Sequence, residues 1–295
     1  MSALSEASTE HLTIADLRER YGLTTNAKFA GKVTVTSIAD DLKSVMPGAL
    51  FIPGPQDLNA DAVAQAEEQG AYAVLLPTSV QDDGLEGSIP VLYGDLSAEE
   101  MGRLASDMAG HPSNSVAVFL VAGADAVEQG ADLAELLHVL GNPVGQIGYR
   151  HSVSLERHLV EEYPLSAIDV QRILAVFVED GASAVVIGAD DRTLSPGALE
   201  SVITDVCALD EPGIGDEDAI RPSLKETLER YGAKLRERTH IAHRTVESDD
   251  MAHHYDGQLD PASSGRLSLA IAMVMKAGVR KGNIKSALRV SKEMS

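Results

Sequence analysis

The sequence predicts an α/β fold of two domains, the second built on a mostly parallel sheet. At 295 residues the chain is long for one hydrophobic core. The apolar run Val116–Val121 is rich in β-branched residues and leads through small residues to leucines at helical spacing over Leu133–Leu140. A second pair follows, because helix-spaced apolar residues in Val170–Phe177 precede the apolar run Ala184–Ile187. Strands that alternate with helices in this way are typical of parallel sheets.

The first 112 residues predict a small α/β domain that precedes this sheet. Ile14, Leu17 and Tyr21 are spaced as on one face of a short helix, and Val33–Ile38 alternates as a half-buried strand does. The later elements predicted in this part are, in order, a helix closed by Gly70, a strand over Ala73–Leu76, a strand over Ile89–Leu92 and a helix over Met101–Met108. The segment His111-Pro112-Ser113 follows that helix, so the predicted domains are residues 1–112 and 113–295.

The turn Ala122–Glu128, after the first apolar run of the second domain, carries the residues that decide its chemistry. Such a turn between strand and helix commonly holds a phosphate, because glycine lets backbone amides approach it and the helix start is electropositive. This turn has one glycine, Gly123, no lysine, and two acids, Asp125 and Glu128. The acids have the spacing of a capping box, so we expect the Asp125 side chain to cap the helix in place of a phosphate.

Several segments, in their order along the chain, resemble motifs of one enzyme family. VMPGALFIP at 45–53 resembles V-x-P-G-D-L-F, and GQIGY at 145–149 resembles G-x-I-G-T. The segment at 89–113 resembles a helix ending in Y-G-x-P-S, and that at 169–194 a helix and strand ending in M-E-V-S-S-H-A-L. These are motifs of the Mur ligases, in particular of the MurE type, which adds the third amino acid to UDP-N-acetylmuramoyl-dipeptide.

The resemblance implies a Mur-type N-terminal domain followed by a central domain with a degenerate P-loop-like turn. The residues of that degenerate phosphate loop are Ala122, Gly123, Ala124, Asp125, Ala126 and Val127. It also implies that Asp41 and Lys43, which stand where the family has D-S-R, lie near the uridine diphosphate end of a UDP-muramoyl ligand. A lysine attracts a diphosphate as a point charge but lacks the fork of arginine. The alternative for this segment is a surface turn before the next strand.

Three features that a Mur ligase needs have no counterpart in this sequence. The turn lacks the phosphate-binding lysine, and Gly188 and Arg192 occupy the positions of the family's magnesium-binding Glu and nearby His. The chain also ends where the family's third domain would begin. Formation of an acyl phosphate depends on cations positioned around the phosphoryl group. We therefore expect no catalytic residues, no bound metal and no cofactor.

The resemblance and these departures together predict a pseudoenzyme, a non-catalytic Mur ligase-like protein that binds, scaffolds or regulates in peptidoglycan synthesis. The alternative is an ATP-dependent UDP-N-acetylmuramoyl-peptide ligase with a rebuilt site, using Asp190–Asp191, Asp249–Asp250 or nearby histidines. One histidine-rich segment has the composition of a metal-binding site, but the spacing of its residues fits no recognised ligand motif. Its members are His240, His243, His253, His254 and Asp256.

The charge distribution favours a protein partner. A net charge of −21 makes nucleic acid and anionic membranes unsuitable partners. Residues 266–295 hold seven Lys or Arg and one acid, a net +6, whereas residues 1–265 carry −27. These basic C-terminal helices either cover the acidic body of the protein or dock a partner, such as a Mur ligase or the cell-division machinery.

The remaining features predict a cytoplasmic protein. No apolar run approaches the ~20 residues of a membrane helix, and Met1–Glu10 lacks the basic start and apolar core of a secretory signal. The single cysteine, Cys207, excludes an internal disulfide and a thiol metal cluster, and we expect it to be a small buried apolar residue.

Overall fold

The computed structural model describes residues 11–25, 27, 30–81, 88–211, 213–255 and 260–294. The chain divides into two compact units, Met1–His111 and Pro112–Ser295. Two parts of the sequence discussed above, Met1–Glu10 and Asp256, lie outside the described residues. Within the described residues, no helix is both long enough and apolar enough to span a membrane.

The first unit is built around a five-stranded sheet in the order β2-β7-β6-β5-β4, in which β4 to β7 are parallel and β2 is antiparallel. Its elements are β1 (Leu12–Thr13), α1 (Ile14–Tyr21), β2 (Thr24–Thr25), β3 (Thr34–Val35), β4 (Ser37–Ala39), β5 (Ala49–Phe51), α2 (Ala60–Glu68), β6 (Ala73–Leu76), β7 (Val91–Tyr93) and α3 (Ala98–Met108). Two apolar clusters, one including α1 and α3 and one including α2, form its core.

The predicted strand Val33–Ile38 is wrong as a single element. It consists of β3, which pairs antiparallel with β1 in a separate two-stranded sheet, and β4, which pairs with β5. Between them, the Thr36 N–H donates to the carbonyl of Gly48 (2.9 Å). Alternation of side chains reports a half-buried extended segment but not which strand it pairs with.

The second unit contains the larger sheet and the remaining helices. Its elements are β8 (Ala117–Gly123), α4 (Ala126–Val139), β9 (Val144–Ile147), β10 (Ser152–Ser154), β11 (Arg157–Leu159), α5 (Ala167–Glu179), β12 (Ala184–Ala189), β13 (Val206–Asp210), α6 (Glu217–Arg230), β14 (His240–Ala242), α7 (Val246–Tyr255), α8 (Pro261–Lys276) and α9 (Lys281–Met294).

The seven strands lie in the order β11-β10-β9-β12-β8-β13-β14. The five strands from β9 to β14 in this order are parallel, and β10 and β11 extend the sheet as an antiparallel hairpin. One apolar cluster joins the strands to α5 and α6, and a second joins them to α4, α7, α8 and α9. The predicted α/β class and mostly parallel sheet are thus confirmed, with helices contributing to two cores.

Candidate functional site

The β8–α4 turn lies at the carboxyl edge of the parallel strands, where open α/β sheets bind their ligands. The side chains from Val118 to Ala122 are buried in the centre of the sheet. Strand β8 ends at Gly123 and helix α4 begins at Ala126, so only Ala124 and Asp125 connect them. The connection is therefore a tight turn and not a wide loop.

Gly123 allows the turn to pass close to the neighbouring strand β13. Its φ of 126° lies in the region that favours glycine. A Cβ atom at this position would lie 3.0 Å from both the Cβ and the carbonyl oxygen of Asp210, the residue opposite Gly123 in the sheet. A side chain here would push the turn away from β13.

The start of α4 is not capped in the way that the sequence predicts. Asp125 is the N-cap residue, but its side chain makes no capping hydrogen bond, so the predicted capping box is wrong. Its backbone angles (φ −106°, ψ 27°) are not the extended ones from which an N-cap side chain reaches the next amides. Instead, the Asp125 N–H donates to Oδ2 of Asp210 (3.2 Å). The carboxylate that accepts a backbone hydrogen bond at the turn therefore comes from β13.

Asp210 is a half-buried acid in a neighbourhood of other acids. Burial raises the pKa of Asp210, and the nearby carboxylates of Asp125 and Glu128 raise it further. The hydrogen bond from the Asp125 amide and the more distant charge of Arg266 oppose this shift without cancelling it. An anion brought to this turn would meet the same carboxylates.

Helix α4 also packs closely on β12, through Gly188. A Cβ atom at Gly188 would lie 3.0 Å from the carbonyl oxygen of Ala126 and from Cα of Val127. This is the position where the resemblance places a magnesium-binding Glu. Any side chain at 188 would require the first turn of α4 to move. The position of α4 against β12 therefore depends on a glycine at 188.

The acids that the rebuilt-ligase alternative would use at the end of β12 already have partners. Asp190 accepts hydrogen bonds from Nε and Nη2 of Arg192 (2.9 and 2.8 Å) and from the backbone of Thr193. Burial raises the pKa of Asp190, but these hydrogen bonds outweigh burial, so the pKa lies below its usual value. Asp191 accepts from the Tyr231 hydroxyl (2.8 Å) and pairs with Arg230.

Asp249, one of the second pair of acids considered for rebuilt chemistry, accepts hydrogen bonds from Arg244 and from the Ser268 hydroxyl (2.5 Å). In the same region, the rings of His243 and His254 each bond a backbone carbonyl through Nδ1. No group of three or more His, Cys, Asp or Glu side chains among the described residues could hold a metal ion.

Asp41 and Lys43 lie in the first unit, just beyond β4. Asp41 caps a short 3-10 helix over Leu42–Ser44, accepting the Ser44 N–H (2.8 Å). Lys43 is exposed on that helix. The surface turn that the sequence offers as an alternative is therefore present, and a role in binding UDP stays a prediction.

A cluster that sequence reasoning did not identify surrounds the ring of Tyr149, just after β9. The guanidinium carbons of Arg192 and Arg150 lie 4.9 and 5.3 Å from its centroid. The signal that could have identified it is topological, because Tyr149 and Arg192 follow neighbouring parallel strands, whose carboxyl ends share one edge. The same reasoning would have brought Asp210 to Gly123.

Comparison with curated sequences finds Mur ligases. The UDP-N-acetylmuramoyl-L-alanyl-D-glutamate–2,6-diaminopimelate ligases of Streptomyces avermitilis and Streptomyces coelicolor are 30% and 29% identical over 199 and 196 residues. These matches cover 66% and 65% of this chain, which spans about two fifths of each relative (39% and 38%). A UDP-N-acetylmuramyl-tripeptide synthetase of Deinococcus radiodurans is 29% identical over 179 residues, 58% of this chain and 36% of its own. No family model matches the chain.

Solved structures show the same fold at low sequence identity. A crystal structure of MurF from Acinetobacter baumannii has a TM-score of 0.59 and 13% identity, covering 96% of this chain and 68% of its own. A UDP-N-acetylmuramoyl-L-alanyl-D-glutamate–2,6-diaminopimelate ligase has a TM-score of 0.51 and 15% identity, covering 75% and 45%. The curated sequences point to MurE-type ligases and the solved structures include MurF, and the order of motifs agrees with both. The chain is thus similar to Mur ligases in sequence over about two thirds of its length, and to solved Mur ligases in fold.

Proposed function

We propose that this protein is a non-catalytic member of the family that acts in peptidoglycan synthesis by binding, as a scaffold or regulatory factor. The observation that carries the proposal is the two-residue connection between β8 and α4. A phosphate loop of the form G-x-x-x-x-G-K-[ST] places four residues between its first glycine and the Gly-Lys pair that opens the helix. Ala124 and Asp125 are too short a connection to surround a phosphate in that way.

Electrostatics at the turn supports the same proposal. A triphosphate bound there would lie beside Asp125 and Asp210, with Glu128 on the first turn of the helix. Like charges about 4 Å apart cost roughly 1 to 4 kcal/mol for each unit pair, depending on screening. The turn has no lysine to offset that cost. We infer that the chain does not position ATP for phosphoryl transfer at this turn.

The names of the relatives suggest the pathway in which the protein acts. The Streptomyces relatives are ligases for 2,6-diaminopimelate and UDP-N-acetylmuramoyl-L-alanyl-D-glutamate. A family member that retains the fold could bind such a precursor through the first unit, where Asp41 and Lys43 stand at the family's D-S-R position. It could also bind a Mur ligase or the division machinery as a partner protein.

The test is an assay of phosphate release. The purified protein is incubated with ATP, Mg²⁺, UDP-N-acetylmuramoyl-L-alanyl-D-glutamate and 2,6-diaminopimelate, with an active Mur ligase in parallel as the positive control. We expect no phosphate above the blank, because neither the turn nor the paired acids at 190 and 191 can organise the phosphoryl group. Phosphate release that requires all the substrates and is lost in Asp190→Ala would instead establish the rebuilt ligase.

A further inference from the structure

The ring of Tyr149 is held in place at the carboxyl edge of the large sheet. Its backbone N–H donates to Oγ1 of the buried Thr193 (3.0 Å). Its ring meets that of Tyr163 edge-on, with centroids 6.3 Å apart. Tyr163 is itself fixed by a hydrogen bond from its hydroxyl to Ser152 (2.7 Å). The two arginines therefore flank a ring whose position is set by both its backbone and its neighbours.

Arg192 is held in position, and its side chain is still half exposed. Asp190 accepts from Nε and Nη2, which leaves the Nη1 donors of the same guanidinium for another acceptor. The side chain is 51% exposed. A guanidinium already oriented on one side loses little freedom when it binds a second oxyanion.

Arg150 makes a different set of contacts. Its guanidinium carbon lies 5.3 Å from the centroid of the Tyr149 ring. The interaction with Arg150, together with the charge of Arg192, holds the pKa of Tyr149 below its usual value. Among the described residues, no carboxylate forms an ion pair with Arg150, although the chain has an excess of acids. Two guanidiniums beside one ring repel each other, and a shared anion would relieve that repulsion.

Another charged group, Glu128 on the first turn of α4, interacts electrostatically with both arginines. The Glu128 carboxylate stabilises the positive charge of each guanidinium. Among the ion pairs of the described residues, none joins Glu128 to Arg150 or Arg192. The Glu128 carboxylate would therefore compete with an anionic ligand for the two guanidiniums without itself filling the site. Its removal should therefore strengthen the binding of an anion.

We propose that Tyr149, Arg150 and Arg192 form a binding site for an oxyanion group of a small ligand, either a phosphate or a carboxylate. Guanidinium groups match both oxyanions with paired hydrogen bonds. The site lies in the second unit and uses none of the residues of the degenerate phosphate loop. It does not depend on the proposed function, because the phosphate-release assay detects turnover and is blind to binding of an anion here.

The experiment is calorimetric titration of the full chain, at low salt, with inorganic pyrophosphate and separately with citrate. We expect at least one of them to bind, and its identity distinguishes a phosphate from a carboxylate ligand. Arg150→Gln should weaken binding by about tenfold or more, as expected for the loss of a charge-assisted hydrogen bond. Glu128→Gln should strengthen binding, and Arg221→Gln, an exposed arginine of α6 paired with Glu217, serves as the control without effect.

Arg192→Gln provides a second test of the site, and its melting temperature shows whether loss of the Asp190 pair has disturbed the fold. If Arg192→Gln melts well below the unmodified chain, the decision rests on Arg150→Gln and Glu128→Gln, which leave that pair intact. The proposal is overturned if neither pyrophosphate nor citrate binds the unmodified chain. It is also overturned if Arg150→Gln binds them as tightly as the unmodified chain does.

Discussion

At the scale of single residues, the β8–α4 turn depends on Asp210 and not on the acids within the turn. The Asp125 amide donates to Asp210 across a separation of 85 residues. Local spacing can indicate that a helix needs a cap, but the capping group here comes from another strand. The sequence therefore predicts the position of the helix start and not the side chain that satisfies its amide.

The first prediction compares the two aspartates. Asp210→Ala should destabilise the protein by about 0.5 to 1.5 kcal/mol, because the Asp125 amide loses its acceptor. Asp125→Ala should change stability by less than about 0.5 kcal/mol, because its side chain makes no capping bond. Chemical denaturation of the two variants measures both. A larger loss in Asp125→Ala than in Asp210→Ala would restore the capping box predicted from the sequence.

The second prediction concerns pH. Because the folded-state pKa of Asp210 is raised by burial, its ionised form opposes folding above that pKa, and this cost disappears as the pH falls to the unfolded value of about 4. Asp210→Asn keeps an oxygen acceptor without the charge. It should be more stable than the unmodified chain at pH 7 by a few tenths of a kcal/mol, since the site is only half-buried.

The measurement for this second prediction is urea denaturation of both proteins at pH 7 and near pH 4. The advantage of Asp210→Asn should shrink at the lower pH, where Asp210 becomes protonated. An advantage that grows on acidification would show that the carboxylate stabilises the fold at neutral pH, contrary to the direction of the shift.

At the scale of elements, local signals account for the helices and fail for some strands. The stripes over α3 and α5 predict helices, and Ser97 with Glu100 and Ser166 with Asp169 close capping boxes at their starts. The β10–β11 hairpin lies in a polar segment with no such signal. Strand β10 is set by pairing with β9, for example Val153 opposite Gln146, and β11 is set by pairing with β10. The residues of the segment do not reveal these partners.

The third prediction tests the contact between α4 and β12. Gly188→Ala should destabilise the protein by about 1 to 3 kcal/mol, because the new Cβ meets the backbone of Ala126 and Val127 at 3.0 Å. Gly282→Ala in α9 is the matched control, since a Cβ there has no neighbour within 4 Å. Denaturation midpoints compare the two. Equal stability of the two variants would mean that α4 moves freely off β12, as a nucleotide-binding turn would require.

The fourth prediction concerns the basic helices. Arg266, Lys276 and Lys281 pair with acids elsewhere in the second unit, which supports their role as a cover over acidic surface. Lys285 and Arg289 lie four residues apart on α9, exposed, and no acid of the described chain pairs with them. We therefore expect a partner to dock on α9 and not on α8.

Biolayer interferometry against purified Mur ligases of the same cell tests this fourth prediction. If one of them binds, Lys285→Glu with Arg289→Glu should abolish or strongly weaken the signal, because the charge of the docking face is reversed. Lys225→Glu on α6, another exposed lysine, should leave the signal unchanged. Binding that is insensitive to the α9 double change would assign the docking face to another surface.

At the scale of the whole molecule, the sequence predicts two domains because strand and helix signals close before His111-Pro112-Ser113. The two compact units divide between His111 and Pro112. The groups at the carboxyl edge are harder to predict. Tyr149 meets Arg192, and Asp210 meets Gly123, only when the strands β9, β12, β8 and β13 are ordered in one sheet. Strand order follows from packing over the whole unit and is not written in any one segment.

The last prediction is that residues 1–111 fold without the rest of the chain. Both apolar clusters of this unit consist only of its own residues, and its size lies within the usual range of domains. The fragment should therefore unfold in one cooperative urea transition, with a slope of about 1 to 3 kcal/mol per molar. A fragment of residues 1–96 is the control, because it lacks α3 and with it the buried side chains of Leu104 and Met108.

The shorter fragment should be protease-labile and show no cooperative transition, since the core then lacks one of its covering helices. Cooperative unfolding of 1–111 together with collapse of 1–96 would locate the folding unit at the His111 boundary. If instead 1–111 is as labile as 1–96, the first unit needs residues beyond 111 for its stability. It would then be a separate compact unit that does not fold independently. Circular dichroism and limited proteolysis of the two fragments, run beside the full chain, separate these outcomes.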